Sequence, residues 1–157
     1  QCTANATACT PGTVAPGSDT ATSAAAGTCL TTTAGTTKPY NPAVTPATGP
    51  CFSTGGVNMT ASIFGTPVPL QQVQVGATYT GSPATGMMNG VLRGFLTQAD
   101  AEATNISLGI ITARLASFFP GGQNNCANFS DMDMLGMTPG WWIYFNFTAE
   151  SVPWSEP

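Results

Sequence analysis

The sequence predicts a mainly β fold: a single β-sandwich-like or small barrel domain with one or two short helices and an extended, disulfide-stapled N-terminal arm. Three observations support this. Apolar and polar residues alternate over Gly140 to Val152, apolar segments after Cys51 are separated by Gly and Pro, and the first fifty residues are rich in Thr, Ala, Gly and Pro. Alternation with a period of two is typical of a strand with one buried face. We therefore expect an extended arm or stalk at 1–50 and a β-rich globular domain at 51–157.

The arm contains few large apolar residues that would hold its backbone in place. Its prolines exclude a regular helix near their positions, because proline lacks the N–H that a helix interior requires. They are Pro39, Pro42, Pro46 and Pro50.

Beyond the arm, four segments rich in β-forming residues predict strands, and two segments predict short helices. Thr97 is a candidate N-cap for the first helix, and Asp100 and Glu102 lie near its start, where the helix dipole favours acids. The predicted strands are Val57 to Phe64, Val68 to Val75, Ala77 to Thr80 and Met87 to Thr97, and the predicted helices are Gln98 to Thr104 and Thr112 to Phe119.

The clearest element is the strand over Gly140 to Val152, whose alternating residues predict one strongly apolar face and one more polar face. The apolar set comprises Trp141, Ile143, Phe145, Phe147 and Ala149, and the opposite set Trp142, Tyr144, Asn146, Thr148 and Glu150.

Charge is scarce in this chain: charged residues make up 6%, the formal net charge is −4, and the basic residues are Lys38, Arg93 and Arg114. Nucleic-acid binding requires a cluster of Lys and Arg, so it is excluded as a function class, and attraction to an anionic membrane surface is disfavoured for the same reason. No apolar run reaches the length of about 18 residues that would span a bilayer. We expect no transmembrane segment.

The cysteines predict a disulfide-bonded, secreted protein at the cell surface or outside the cell. They are Cys2, Cys9, Cys29, Cys51 and Cys126. Cys2 with Cys9 and Cys29 with Cys51 are the preferred pairs, although spacing leaves other pairings open. An odd number leaves one thiol free or bonded to another chain, with Cys2 and Cys126 as the candidates. The chain starts at Gln1 without an initiator methionine, so we also expect that a leader has been removed.

The acceptor pattern for N-glycosylation occurs five times, which predicts that some of these positions carry sugar. The alternative is plain polar surface. The asparagines are Asn5, Asn58, Asn105, Asn128 and Asn146.

No pattern nominates a catalytic site. Histidine is absent, so serine–histidine, cysteine–histidine and histidine–metal arrangements are excluded, and no feature selects two of the seven carboxylates as an acid–base pair. We predict that the protein is not an enzyme and that it has no required cofactor. Asp131 and Asp133 are candidate calcium ligands, since alternate carboxylates can face one hard cation, and a solvated acidic turn is the alternative.

Aromatic residues near the C-terminus are candidates for an interface or for a platform that stacks on a sugar ring. They are Trp142, Tyr144 and Trp154. Packing against the arm is a further role open to Trp142 and Tyr144. Arg93 lies in an otherwise apolar strand, and we expect it to pair with a carboxylate such as Asp131.

Low charge, abundant Thr and Gly, an odd cysteine and a long arm favour a structural subunit of an extracellular filament, pilus-like fibre or surface layer. The arm would add a β-strand to a neighbouring copy, so the partner is the chain itself, as a homo-oligomer or filament. The alternative is a monomeric secreted module for adhesion that binds carbohydrate or calcium.

Overall fold

The computed structural model describes residues 22–24, 29–33, 43–47, 51–81, 85–122 and 130–151. These residues form mainly β structure, which confirms the predicted fold class. The strands are β1 (Thr22–Ala24), β2 (Cys51–Ser53), β3 (Val57–Ile63), β4 (Thr66–Thr80), β5 (Gly86–Thr97), β6 (Asn105–Leu108), β7 (Ile111–Arg114), β8 (Asp133–Leu135) and β9 (Thr138–Glu150), and the helices are α1 (Gln98–Ala103) and a 3-10 helix (Leu115–Phe118).

Seven of these strands form one antiparallel sheet that curls into a half-barrel. The strand order is β1-β2-β4-β5-β9-β8, and β3 also pairs with β4, alongside β2. Strands β6 and β7 form a separate hairpin. The long strands β4, β5 and β9 lie at the centre, so they position most of the side chains discussed below. The sandwich or small barrel, and the arm, stay predictions.

The two segments predicted on either side of Gly76 are a single strand, β4, because Gly76 continues the ladder opposite Val91 in β5. The pairing of β4 with β5 changes register twice, once between Gln71 and Gln74 and once after Gly76. At the first shift Gln72 has a positive φ of 52°. The sheet therefore keeps its pairing along β4 by bulging rather than by ending the strand.

The first predicted helix is confirmed as α1. The hydroxyl of Thr97 accepts a hydrogen bond from the backbone N–H of Asp100 at 3.0 Å and donates one to the Asp100 carboxylate at 2.6 Å. The second predicted helix, Thr112 to Phe119, is wrong over its first three residues, which pair with β6 as part of β7, and only Leu115–Phe118 form a 3-10 helix.

The main hydrophobic core lies on one face of the sheet, beneath α1 and the 3-10 helix. Trp141 and Ile143 face this core, since alternate residues of β9 point to the same side. Phe145 continues the face but is 39% exposed, so the predicted apolar face extends beyond the core. The buried members are Val68, Leu70, Val73, Leu96, Ala101, Ile106, Leu115, Ala116, Trp141 and Ile143.

Candidate functional site

The opposite face of the central strands is covered by two pieces of the N-terminal region, residues 29–33 and 43–47, which we call the covering segments. Leu30 packs against Val91 and Tyr144, and Val44 packs against the same cluster. We call this side of β4, β5 and β9 the covered face. Residues that precede the globular region in sequence therefore lie on its own sheet.

A disulfide fixes the first covering segment to the sheet. Cys29 bonds to Cys51 at the start of β2, with 5.7 Å between their Cα atoms, and Ala47 of the second segment packs beside them. The prediction that this pair is bonded is confirmed. The bond is consistent with an oxidising, extracellular compartment.

Arg93 connects the covered face to the first covering segment. Its Nε and Nη2 donate to Oε1 of Gln74 at 3.0 and 2.7 Å, and its Nη1 donates to the carbonyl oxygen of Thr31 at 3.0 Å. The guanidinium carbon lies 5.3 Å from the centroid of the Trp142 ring. The prediction that Arg93 pairs with a carboxylate such as Asp131 is wrong, because these hydrogen bonds go to neutral oxygens of Gln74 and Thr31. Arg93 suits this arrangement because its planar fork bonds to several acceptors while it stacks on an aromatic ring.

Tyr144 and Asn146, on the same side of β9, bond to the backbone of the covering segments. The Tyr144 hydroxyl accepts from the N–H of Thr33, and the Asn146 side chain bonds to Ala43 and Thr45. Tyr144 is 7% exposed, and the Trp142 ring packs edge-on against Phe95. Trp142 and Tyr144, two of the three aromatic residues predicted as an interface or sugar platform, therefore contact other residues of the same chain.

A second feature is the outer edge of β3. Phe64 and Gly65, with φ of 50° and 78°, form a two-residue turn that places Ile63 opposite Thr66 as the first hydrogen-bonded pair. Bonded and non-bonded pairs then alternate, so the backbone groups of Thr60 and Ser62 point away from β4.

The prolines of β4 agree with this alternation. Pro67 and Pro69 lie opposite Ser62 and Thr60, at positions that require no N–H toward β3. Among the described residues β3 pairs with β4 alone. In the part of the chain that the structure describes, no strand pairs with the outer backbone groups of Thr60 and Ser62.

Apolar side chains accompany this open edge. Ala61 and Ile63 pack against the main core, and Met59 and Val57 follow on the same face, exposed by 43% and 41%. No charged residue occurs in Val57–Ile63. The core is consequently incompletely covered where the sheet ends.

The sequons of the described region differ in their surroundings. The Asn58 Oδ1 accepts from the backbone N–H of Gln72 at 3.1 Å, at the β-bulge. Asn105 is exposed at the start of β6, and its side chain has no hydrogen-bond partner in the described part of the chain. Asn146 lies on the predicted polar face, where its amide bonds to a covering segment.

The predicted calcium ligands lie next to and within β8. The backbone N–H of Asp131 donates to the carbonyl oxygen of Pro120 at 3.1 Å, and Asp133 pairs with Gly140 of β9. The Asp133 Oδ2 is buried and has no hydrogen-bond partner in the described region, and burial raises the pKa of this carboxyl. No group of three or more Cys, Asp or Glu that could hold a metal occurs within the described ranges.

Two carboxylates line a shallow depression beside α1, but both are engaged in helix contacts. Asp100 bonds to Thr97, and Glu102 accepts from the Gln98 amide at 2.8 Å. Their geometry is that of a capped helix.

In the described region no helix is long and apolar enough to cross a membrane.

Several predicted site residues lie outside the described residues, so their roles stay predictions. They are Cys2, Cys9, Cys126, Asn5, Asn128 and Trp154.

Sequence reasoning missed Gln74 and the backbone-directed role of Asn146. Gln74 follows Gln71 and Gln72 in an otherwise apolar strand. A polar side chain inside a central strand indicates that this face of β4 contacts polar groups as well as the hydrophobic core. No signal in the sequence pairs Asn146 with residues about one hundred positions earlier.

The chain matches no protein-family model, no curated protein and no solved structure. Its function must therefore be inferred from the geometry of its own residues.

Proposed function

We propose that this protein is a structural subunit that assembles with copies of itself by β-strand addition at the outer edge of β3. The observation that carries the proposal is the open, uncharged edge of this seven-residue strand. Natural sheets protect such edges with charges, prolines, bulges or a covering loop, because an unprotected edge templates pairing with another chain. Among the residues that the structure describes, none of these protections occurs at the part of β3 that bears Thr60 and Ser62.

The opposite sheet edge supports the choice of β3. Strand β8 has only three residues and begins at Asp133, and short or charged edges disfavour addition. A strand added beside β3 would also cover the exposed side chains of Val57 and Met59 and extend the core face. Main-chain hydrogen bonds would supply affinity, and alternate side chains the register.

The donor that fits is the chain preceding β1, residues 1–21 of a second copy. Strand β1 and the covering segments contact their own sheet, so they are committed within one subunit. Fully extended, 21 residues reach roughly 70 Å, which is ample to span between neighbouring subunits. A donor that enters the next copy gives a head-to-tail contact, and such contacts can grow into a fibre.

The test is negative-stain electron microscopy and light scattering of wild type and two variants at Thr60. Thr60→Pro removes the outward N–H without costing a hydrogen bond to β4, and Thr60→Val keeps that N–H as the matched control. We expect fibres or oligomers for wild type and Thr60→Val, and monomers for Thr60→Pro. Circular dichroism verifies that all three are folded.

Deleting residues 1–21 separates the donor from the acceptor. We expect the truncated chain to stay monomeric alone and to bind a synthetic peptide of residues 1–21. Assembly of Thr60→Pro equal to wild type would remove the β3 edge from the proposal, and assembly of the truncated chain would remove the donor. A native protein that is monomeric throughout would instead favour a secreted module that binds carbohydrate or calcium.

A further inference from the structure

The side-chain amide of Asn146 holds the second covering segment through both of its polar atoms. Its Oδ1 accepts from the N–H of Thr45 at 3.0 Å, and its Nδ2 donates to the carbonyl oxygen of Ala43 at 2.7 Å. In an extended chain the C=O of one residue and the N–H two positions later face the same side. Asn146 therefore pairs with the segment as the backbone of a neighbouring strand would, and it is a positioning residue for the covering segment.

The same residue begins the sequon Asn146-Phe147-Thr148. Sugar transfer from a nucleoside-diphosphate sugar breaks the bond from C1 to the diphosphate and forms a C1–Nδ2 bond, and one Nδ2 hydrogen leaves as a proton. The product is a secondary amide, which is planar and strongly prefers the trans form. In that form the sugar carbon lies on the same side of the C–N bond as Oδ1.

Oδ1 and Nδ2 can bond to the same segment only through the Nδ2 hydrogen that lies on the Oδ1 side of the C–N bond. The other Nδ2 hydrogen points away from the direction in which Oδ1 accepts. Glycosylation would replace the hydrogen that reaches Ala43. We propose that N-glycosylation of Asn146 and docking of the second covering segment are mutually exclusive, so that the folded chain is not modified at Asn146.

Asn105 provides an internal comparison. It begins the sequon Asn105-Ile106-Ser107, it is exposed, and its amide has no hydrogen-bond partner in the described part of the chain. Folding places no bond on its Nδ2 hydrogens. Asn105 is thus a described sequon at which a sugar would displace no hydrogen bond of the asparagine side chain.

The test uses a soluble N-glycosyltransferase that moves one glucose from UDP-glucose to asparagine in sequons. The full chain is offered to it folded, and also reduced, alkylated and unfolded, and peptide mass spectrometry gives the occupancy of each site. We expect occupancy of Asn146 to be at least ~10-fold lower in the folded chain than in the unfolded one, and occupancy of Asn105 to differ by less than about threefold, because access follows local structure.

Hydrogen exchange at the Thr45 amide tests separately whether the Asn146 side chain holds the second covering segment. Asn146→Asp keeps the acceptor but loses the donor and places a carboxylate against the Ala43 oxygen, so we expect faster exchange. Thr148→Ala erases the sequon and leaves the amide intact, and we expect exchange as in wild type. Glucose on Asn146 with a still-protected Thr45 amide would overturn the proposal, as would equal Thr45 exchange in Asn146→Asp and wild type.

Discussion

The hydroxyl of Tyr144 in β9 accepts a hydrogen bond of 2.7 Å from the backbone N–H of Thr33, which lies 111 positions earlier in the chain. This bond joins the last long strand to the first covering segment. It shows that part of the N-terminal region is a layer on the sheet, even though that region has few large apolar residues. Polar side chains of the sheet that bond to the backbone of the N-terminal region help to hold it in place, as apolar packing does in the main core.

Tyr144→Phe should lower the free energy of unfolding by about 1 to 2 kcal/mol, because it removes the acceptor of the Thr33 N–H from a site that is largely shielded from water. Urea denaturation followed by tryptophan fluorescence measures the change. Tyr79→Phe is the matched control: Tyr79 stacks on Phe52 but is 54% exposed, so we expect a change within about 0.5 kcal/mol. Equal effects of the two variants would contradict a specific role for the Tyr144 hydroxyl.

Replacing Cys29 and Cys51 together by Ala should lower the free energy of unfolding by about 3 kcal/mol, since the bond closes a loop between positions 22 apart. The same variant should increase hydrogen exchange at Thr33, because the first covering segment loses its covalent attachment. A denaturation midpoint unchanged from wild type would show that the disulfide contributes nothing to the stability of the sheet.

Gly140→Ala should destabilise the protein by about 1 to 3 kcal/mol, because overpacking forces neighbouring groups to move. A Cβ at this position would overlap the backbone carbonyl oxygen of Leu96 and lie 2.8 Å from the Phe95 ring. Gly55→Ala is the control, because a methyl group added there would have no atom within 4 Å and its backbone is unstrained. Thermal melts with similar losses for both variants would argue against close packing at β5 and β9.

Asp133→Asn should raise the melting temperature at pH 7. Burial raises the pKa of the Asp133 carboxyl in the folded state, so ionising this group is less favourable in the folded protein than in the unfolded chain. The associated stability is fully present below the unfolded pKa of about 3.9 and is lost as the pH rises through the higher folded pKa.

The advantage of Asp133→Asn should therefore shrink as the pH is lowered toward 3. Melting curves of both proteins between pH 3 and 7 measure it. A difference that stays constant with pH would indicate a packing effect rather than relief of a buried charge.

Local patterns were sufficient to predict the longer strands β3, β4, β5 and β9 and the helix that begins beside Thr97, but not the strands of three or four residues. Alternation along β9, Gly and Pro between segments, and Thr97 three residues before Asp100, whose N–H donates to its hydroxyl, are signals within a few residues of sequence. The spacing of Cys29 and Cys51 also favoured the correct pair. The start of the second predicted helix was wrong because Thr112 to Arg114 pair with β6, and this pairing depends on another segment of the chain.

The sequence by itself determined the mainly β class, the low charge that argues against nucleic acid, and the preferred pairing of Cys29 with Cys51. Tertiary structure alone decided which side of each strand is covered and what each polar residue meets. Arg93 and Asn146 bond to main-chain atoms of segments that are about 60 and 100 positions away, and Arg93 also donates to the Thr33 hydroxyl. A contact to the backbone leaves no complementary side chain in the sequence, so only the fold reveals it.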